Sequence, residues 1–295
     1  MDCLEYLIGE ISKVDKESED DNENIEEVCN SGLESALLDA NTSGDTPLLA
    51  AASRGNFGAC KMLLDSVDKY YAKSSNDADN KLAKCILKRK MIRTCNKGGD
   101  TSLGVAVAAG HGIELLTLLL ELDDEVTKTL DEMMPDATNS SSEYGDDSTQ
   151  STKCINKKNG LGLTPLIVSC ERNLPAVAET LLRFGADIHV RDSNGRNLLA
   201  VSAFCGCNDV VEFLLTHINQ SPSNSLLLNE IDDNGCTPIW LGARTGNVSI
   251  VKLLLEAGAD VTVKNKEGLT PQEVAAKFKK EKLEKFFLET TSSNS

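Results

Sequence analysis

Asn234-Gly235-Cys236-Thr237-Pro238-Ile239-Trp240-Leu241-Gly242-Ala243-Arg244-Thr245-Gly246-Asn247, continuing through Val251-Lys252-Leu253-Leu254-Leu255-Glu256-Ala257-Gly258-Ala259-Asp260, is the stretch whose reading decides the fold. Gly235 offers a tight turn. Thr237 can then cap a helix, its hydroxyl accepting an unpaired N–H of the first helical turn, and Pro238 occupies the first helical position, where no N–H is needed. Gly246 suits the left-handed residue that closes so short a helix. A second helix is predicted to run to Gly258, with Val248, Val251, Leu254 and Leu255 along one stripe.

The same punctuation recurs along the chain. Equivalents of Gly235 stand at Gly44, Gly99, Gly162, Gly195 and Gly268, separated by 55, 63, 33, 40 and 33 residues. Two intervals are 33, and the others are 33 with insertions of 22, 30 and 7. Two residues after each glycine come Thr46, Thr101, Thr164, Asn197, Thr237 and Thr270, all N-cap formers. Three residues before each come Asn41, Asn96, Asn159, Asp192, Asp232 and Asn265, all turn formers. Pairs of leucines follow at a constant distance: Leu63-Leu64, Leu118-Leu119, Leu181-Leu182, Leu214-Leu215 and Leu254-Leu255, with Phe287-Leu288 in the sixth copy. Asn173 replaces the helix-closing glycine of the third copy and can also adopt the left-handed conformation.

A turn, a short capped helix and a second helix at a 33-residue period resemble the ankyrin repeat family. Gly44-Asp45-Thr46-Pro47-Leu48, Gly162-Leu163-Thr164-Pro165-Leu166, Gly185-Ala186-Asp187-Ile188 and Gly258-Ala259-Asp260-Val261 carry the likeness, which covers residues 41–288. The resemblance implies an all-α ankyrin-type helical solenoid of six repeats with short β-hairpin-like turns. One departure is systematic. The family's histidine after Thr-Pro-Leu is replaced by Leu49, Gly104, Ile167, Ala200, Trp240 and Glu273, so the bonds it makes between neighbouring units lose their usual donor. Gln272 in the sixth copy replaces an apolar residue, as a terminal repeat facing water permits.

Around this array the charge is uneven. The chain carries −16 overall. Residues 1–40 hold 13 acidic and two basic residues, and 121–152 hold ten acidic residues and one lysine. The remainder is nearly neutral apart from the insertion at 65–94, where eight basic residues outnumber four acidic ones. This distribution argues against nucleic acid as a partner, because phosphate binding needs a dominant basic surface. Residues 1–40 read as an acidic segment and helical cap. The 65–94 insertion reads as an extra basic amphipathic helix that either is solvated or docks on an acidic segment and covers the binding face. The 121–156 insertion is too polar to bury a core and reads as disordered, and 289–295 as a polar tail. Ser18 and Ser140 stand in acidic contexts that resemble kinase sites. No apolar run of about 20 residues predicts a membrane span. The N-terminus lacks the pattern of a signal peptide. Ten cysteines without a CxxC pair predict a reduced cytosolic or nuclear setting.

Chemistry-bearing patterns are scarce. The sequence holds no GxSxG, HExxH or GxxxxGK[ST]. His111, His189 and His217 lie in different repeats at different places within the unit, so a catalytic dyad is not expected. Cys205-Gly206-Cys207 lacks partners at equivalent positions for a four-ligand zinc site, and reads as small residues filling the stack. Neither a metal nor a cofactor is expected. The expected function is non-catalytic protein–protein interaction, as a monomeric scaffold or adaptor; an inhibitor or assembly chaperone that masks a partner is the alternative, and an enzyme with an unrecognised site the rival from another class. In the ankyrin family the turn tips and first helices line a concave binding face. Carried over by position, that face includes Arg54, Arg172, Phe204, Trp240 and Arg244, with Arg191 and Lys264 at the tips, a mixture of Arg and aromatic residues that binding hot spots favour. Trp240 has a second reading, as a filler of the space the missing histidine vacates.

Overall fold

The computed structural model describes residues 25–72, 78–133, 153–219 and 226–292. Its helices are α1 (Ile25–Leu38), α2 (Pro47–Ser53), α3 (Phe57–Tyr71), α4 (Ala78–Arg93), α5 (Ser102–Ala109), α6 (Ile113–Met133), α7 (Pro165–Glu171), α8 (Pro175–Arg183), α9 (Leu198–Cys205), α10 (Asn208–Asn219), α11 (Pro238–Thr245), α12 (Val248–Glu256), α13 (Pro271–Lys277) and α14 (Glu281–Ser292). No strand occurs among the described residues, so the fold is all-α. Two compact units divide the chain, residues 1–160 and 161–295.

Each short first helix starts as its sequence dictates. The side chains of Thr46, Thr101, Thr164, Asn197, Thr237 and Thr270 accept the backbone N–H three residues on, at 2.9–3.4 Å. At the preceding turns Asn41, Asn96, Asp192, Asp232 and Asn265 each accept two backbone N–H groups with one side-chain oxygen. The six turn glycines lie at φ between 72° and 81°, where a Cβ would be strained. Successive tips are stitched by single backbone bonds: Lys97 N–H to Ser43 O and Gly160 N–H to Gly98 O in the first unit, Asp233 N–H to Asn194 O and Lys266 N–H to Asn234 O in the second.

In the second unit four helix pairs stack, α7/α8 to α13/α14. First helices pack on first helices and second on second, burying Leu166, Ile167, Leu198, Leu199, Ile239 and Val274 in one layer. Leu181, Leu214, Leu254 and Phe287 fill the layer between first and second helices. The thin layers explain why a chain with so few aromatic residues still closes a core.

The first unit contains two such pairs, α2/α3 and α5/α6, with α4 added. Here the insertions depart from expectation. Helix α4 packs chiefly on the second helices α3 and α6, with Leu87, Met91 and Ile92 buried. It is therefore neither a solvated helix nor a cover over the first helices. Four of its six cations are spent internally: Lys84 and Lys88 pair with Asp68, Lys90 with Glu34, and Arg93 with Asp123. The expected disorder over 121–156 is corrected at both ends. Helix α6 continues to Met133, burying Leu122, Val126 and Leu130, and residues 154–156 form a 3-10 turn. The sequence pattern misled because Asp123 is a core residue: it is 2% exposed and takes Arg93 Nε at 2.8 Å and the Cys154 N–H at 3.1 Å. The acidic run before residue 25 and the stretch around Ser140 lie outside the described residues.

Candidate protein-binding site

The surface side chains of each repeat follow from position. Two registers at the end of every first helix, nine and ten residues after the turn glycine, are exposed or half-buried in every repeat. In the first unit they hold Ser53-Arg54 and Ala108-Ala109. In the second they hold Glu171-Arg172, Phe204-Cys205, Arg244-Thr245 and Lys277-Phe278. Long charged and aromatic side chains are thus concentrated in the second unit.

Several residues expected to line the binding surface are exposed: Arg172, Phe204, Arg244 and Lys264 in the second unit, and Arg54 in the first. The two phenylalanines there are each met by a guanidinium. Arg196 lies over the Phe204 ring at 4.7 Å, and Arg244 over Phe278 at 5.5 Å. Phe204 is 39% exposed and Phe278 44%. Such pairs keep an apolar ring face in water beside a cation, a combination that contributes strongly at interfaces. Arg196 is anchored by Asp192 through Nε at 2.8 Å and Nη2 at 2.7 Å. Burial raises the Asp192 carboxyl, but bonds from the Arg196 and Asn194 N–H groups and the guanidinium outweigh it and hold the carboxyl below its ordinary range. Glu267 is held low by its bond and ion pair with Lys277 at 2.7 Å, with a smaller contribution from the charge of Arg244.

One expected contact, Trp240, is corrected, and a second, Arg191, stays part-exposed while bonding within the scaffold. Trp240 is 4% exposed, and its Nε1 donates to the Leu269 carbonyl at 2.9 Å. It occupies the position of the family's histidine and ties α11 to the next turn, so its surface is used by the scaffold. Arg191 is similarly engaged: Nη1 donates to Gly195 O and Ile231 O, and Nη2 pairs with Glu230 at 2.8 Å. It clamps the turn onto the segment that follows the seven-residue insertion. Elsewhere the missing histidine bonds are replaced by asparagine: Asn96 and Asn159 donate to Asp45 and Asp100, and Asn197 to Leu227 O.

Arg196 and Phe278 were not anticipated. Their only sequence signal is register, since Phe278 is the aromatic member of a set that otherwise reads Arg54, Ala109, Arg172, Cys205 and Thr245.

The arrangement offers exposed ring–guanidinium pairs suited to recognition. Among the described residues no group of three or more His, Cys, Asp or Glu is placed to hold a metal ion. Cys170 and Cys207 are buried and Cys205 is exposed. Burial pushes the Cys170 thiol up to about 12, so it is neutral and a poor nucleophile at physiological pH. Among the described residues no helix is long and apolar enough to cross a membrane.

Family models for ankyrin repeats match residues 43–73 and, as a three-copy model, residues 144–225 and 166–265, together just over half of the chain. This is an ankyrin repeat protein. Among curated proteins it is 30% identical over 172 residues to the nuclear factor NF-kappa-B p105 subunit of Gallus gallus, covering 58% of this chain and 16% of the relative. It is 36% identical over 107 residues to the human NF-kappa-B inhibitor alpha, covering 36% and 33%. The chain thus spans a third or less of the length of these two relatives. Among solved structures, the ankyrin repeat protein EF0377 aligns with a TM-score of 0.56 at 20% identity, over 84% of this chain and 98% of that one. A chain from the complex of the predatory endopeptidase Bd0816 of Bdellovibrio bacteriovorus with the immunity protein Bd3460 aligns with a TM-score of 0.53 at 21% identity, over 82% and 94%. These two likenesses bear on the fold. Ankyrin repeats form a protein–protein interaction module, and that coarse function applies here.

Proposed function

We propose that this ankyrin repeat protein is a non-catalytic scaffold or adaptor that holds a partner protein against the first-helix ends and turn tips of its second unit. The observation that carries this reading is the pair of exposed phenylalanines, Phe204 and Phe278, each under a guanidinium on a side of the repeats where the scaffold does not use them. Arg172, Arg244 and Lys264 extend the same surface, and Arg54 marks the corresponding register in the first unit. The fold is one that generally binds and does not catalyse, and the setting expected from the cysteines is reducing.

A second reading is an inhibitor or assembly chaperone, favoured by the 36% identity to a protein named as an inhibitor of NF-kappa-B. An adaptor forms a ternary complex with two partners; an inhibitor is displaced from its partner by a second protein. Photo-crosslinking tests the surface itself. A benzophenone amino acid at position 204 or 278 is expected to capture the partner, whereas one at the exposed second-helix positions Glu179 or Lys252 is not. Capture only from positions 179 or 252 would contradict the assignment.

A further inference from the structure

The corner where α11 and α13 end combines three features that the repeat scaffold does not require. Phe278 is 44% exposed, with Arg244 of the preceding repeat over its ring. Next to it Lys279 lies at φ 53°, in the left-handed region that a side chain adopts only at an energetic cost. The equivalent position is Gly55, Gly110, Gly206 or Gly246 in four other repeats and Asn173 in the remaining one, so a lysine is retained where glycine is the strain-free choice. Lys280 then lies across Gly246, its Cδ within 2.7 Å of where a Cβ would stand, bringing it to the helix end that carries Arg244.

The charge of this corner opposes that of the whole chain. Arg244, Lys277, Lys279, Lys280 and Lys282 stand here beside Glu267, Glu281 and Glu284, a cationic excess in a protein of net charge −16. Glu267 is taken by Lys277. Among the described residues, neither Arg244 nor Lys279 stands in an ion pair. Cations at helix C-termini are favourable for the helix dipole, which accounts for Lys277 in the last turn of α13. It does not account for a strained Lys279 beyond the helix, nor for a phenylalanine held in water between them.

We infer that this corner is a docking site for an acidic segment of a partner protein, one that sets carboxylates against Arg244, Lys279 and Lys280 and an apolar or aromatic side chain against Phe278. The inference rests on the binding role proposed above and names the chemistry of its partner. Charge complementarity selects an acidic ligand, and the exposed ring selects a peptide over a purely electrostatic surface.

The test is selection of a random twelve-residue peptide display library on the full-length protein, followed by anisotropy titration of the enriched peptides, labelled with fluorescein, against variants. Enriched peptides are expected to carry a net negative charge with at least one aromatic or large apolar residue. Arg244→Glu with Lys279→Glu is expected to weaken their binding by about tenfold or more, and Phe278→Ala by a similar factor. Lys279→Gly provides the control for folding: its melting temperature should equal or exceed wild type, while affinity falls by roughly two- to fivefold. Peptides without acidic bias, or acidic peptides whose binding ignores the Arg244→Glu/Lys279→Glu change, would overturn the inference. If such peptides are instead lost on Phe204→Ala with Arg172→Ala, the broader binding role stands and only this corner is wrong. If no peptide is enriched, both readings fail. Vesicles containing phosphatidylserine are run in parallel; binding to them in a charge-dependent way, with no acidic peptide selected, would replace the protein partner by a lipid surface and likewise overturn the proposal.

Discussion

Trp240 Nε1 donates to the carbonyl of Leu269, 29 residues on, at 2.9 Å, and joins the fifth repeat to the turn of the sixth. In this family that position belongs to a histidine. A larger ring here fills the inter-repeat layer and reaches the same kind of acceptor. Trp240→Phe keeps most of the packing and loses the indole bond, while the Leu269 carbonyl keeps its bond from the Asn265 N–H at 3.0 Å, so the expected cost is about 1 kcal/mol. Trp240→Ala should cost about 3–5 kcal/mol. Urea denaturation followed by circular dichroism measures both, and equal stability of all three proteins would show that the contact contributes nothing.

The Arg93–Asp123 pair is the corresponding lock in the first unit. Arg93 Nη2 also donates to Thr127 Oγ1, and Asp123 accepts from the Cys154 N–H and thiol. Arg93→Met leaves a buried carboxylate without its cation, and should cost about 3–5 kcal/mol. Adding Asp123→Leu removes the orphaned charge and is expected to restore much of the loss. A double variant no more stable than the single one would show that the pair holds something its charges do not explain.

Asn173 closes α7 in the left-handed conformation, with φ at 56°, and its amide serves α10 of the next repeat. Nδ2 donates to Asp209 at 2.9 Å and Oδ1 accepts the Val210 N–H at 3.2 Å. Asn173→Gly keeps the backbone but loses this inter-repeat cap, for an expected cost of about 1 kcal/mol. Asn173→Ala adds the left-handed penalty and should cost about 2 kcal/mol. If glycine is as stable as asparagine in thermal melts, the cap carries no energy.

Burial pushes the Cys60 thiol up to about 11 and Cys170 and Cys236 to about 12. A raised folded value means the stability these thiols contribute is fully present below the ordinary thiol range, near 8.5, and is lost as pH rises toward 11–12. Stability should therefore fall above about pH 8.5, and Cys60→Ala/Cys170→Ala/Cys236→Ala should flatten that fall. At pH 7.5, alkylation with iodoacetamide and peptide mapping should label exposed Cys205 well before these three. Early labelling of Cys170 would contradict the packing.

The repeat scaffold was legible because its signals are local. Thr237-Pro238, Gly246 and Asn173 each satisfy a backbone requirement within a few residues, and the structure uses them so. What was not legible depends on contacts between distant segments. Asp123 sits in an acidic run that reads as solvated, yet Arg93, 30 residues earlier, makes it a core residue. Trp240 looked like a surface anchor because rarity marks it, whereas burial by the next repeat decides its role. Phe278 and Arg196 carry no motif: the fold of a single repeat brings Arg196 over Phe204, eight residues on, and the stacking of one repeat on the next brings Arg244 over Phe278.

Quantitative affinity capture from native lysate tests the proposed binding surface most directly, comparing wild type with Phe204→Ala/Arg244→Ala and with the second-helix control Glu179→Ala/Lys252→Ala, each confirmed folded by its melting curve. Specific partners should be lost, by about tenfold or more, with the first pair and retained by the second. Retention of every specific partner by Phe204→Ala/Arg244→Ala would contradict a binding surface on the first-helix side.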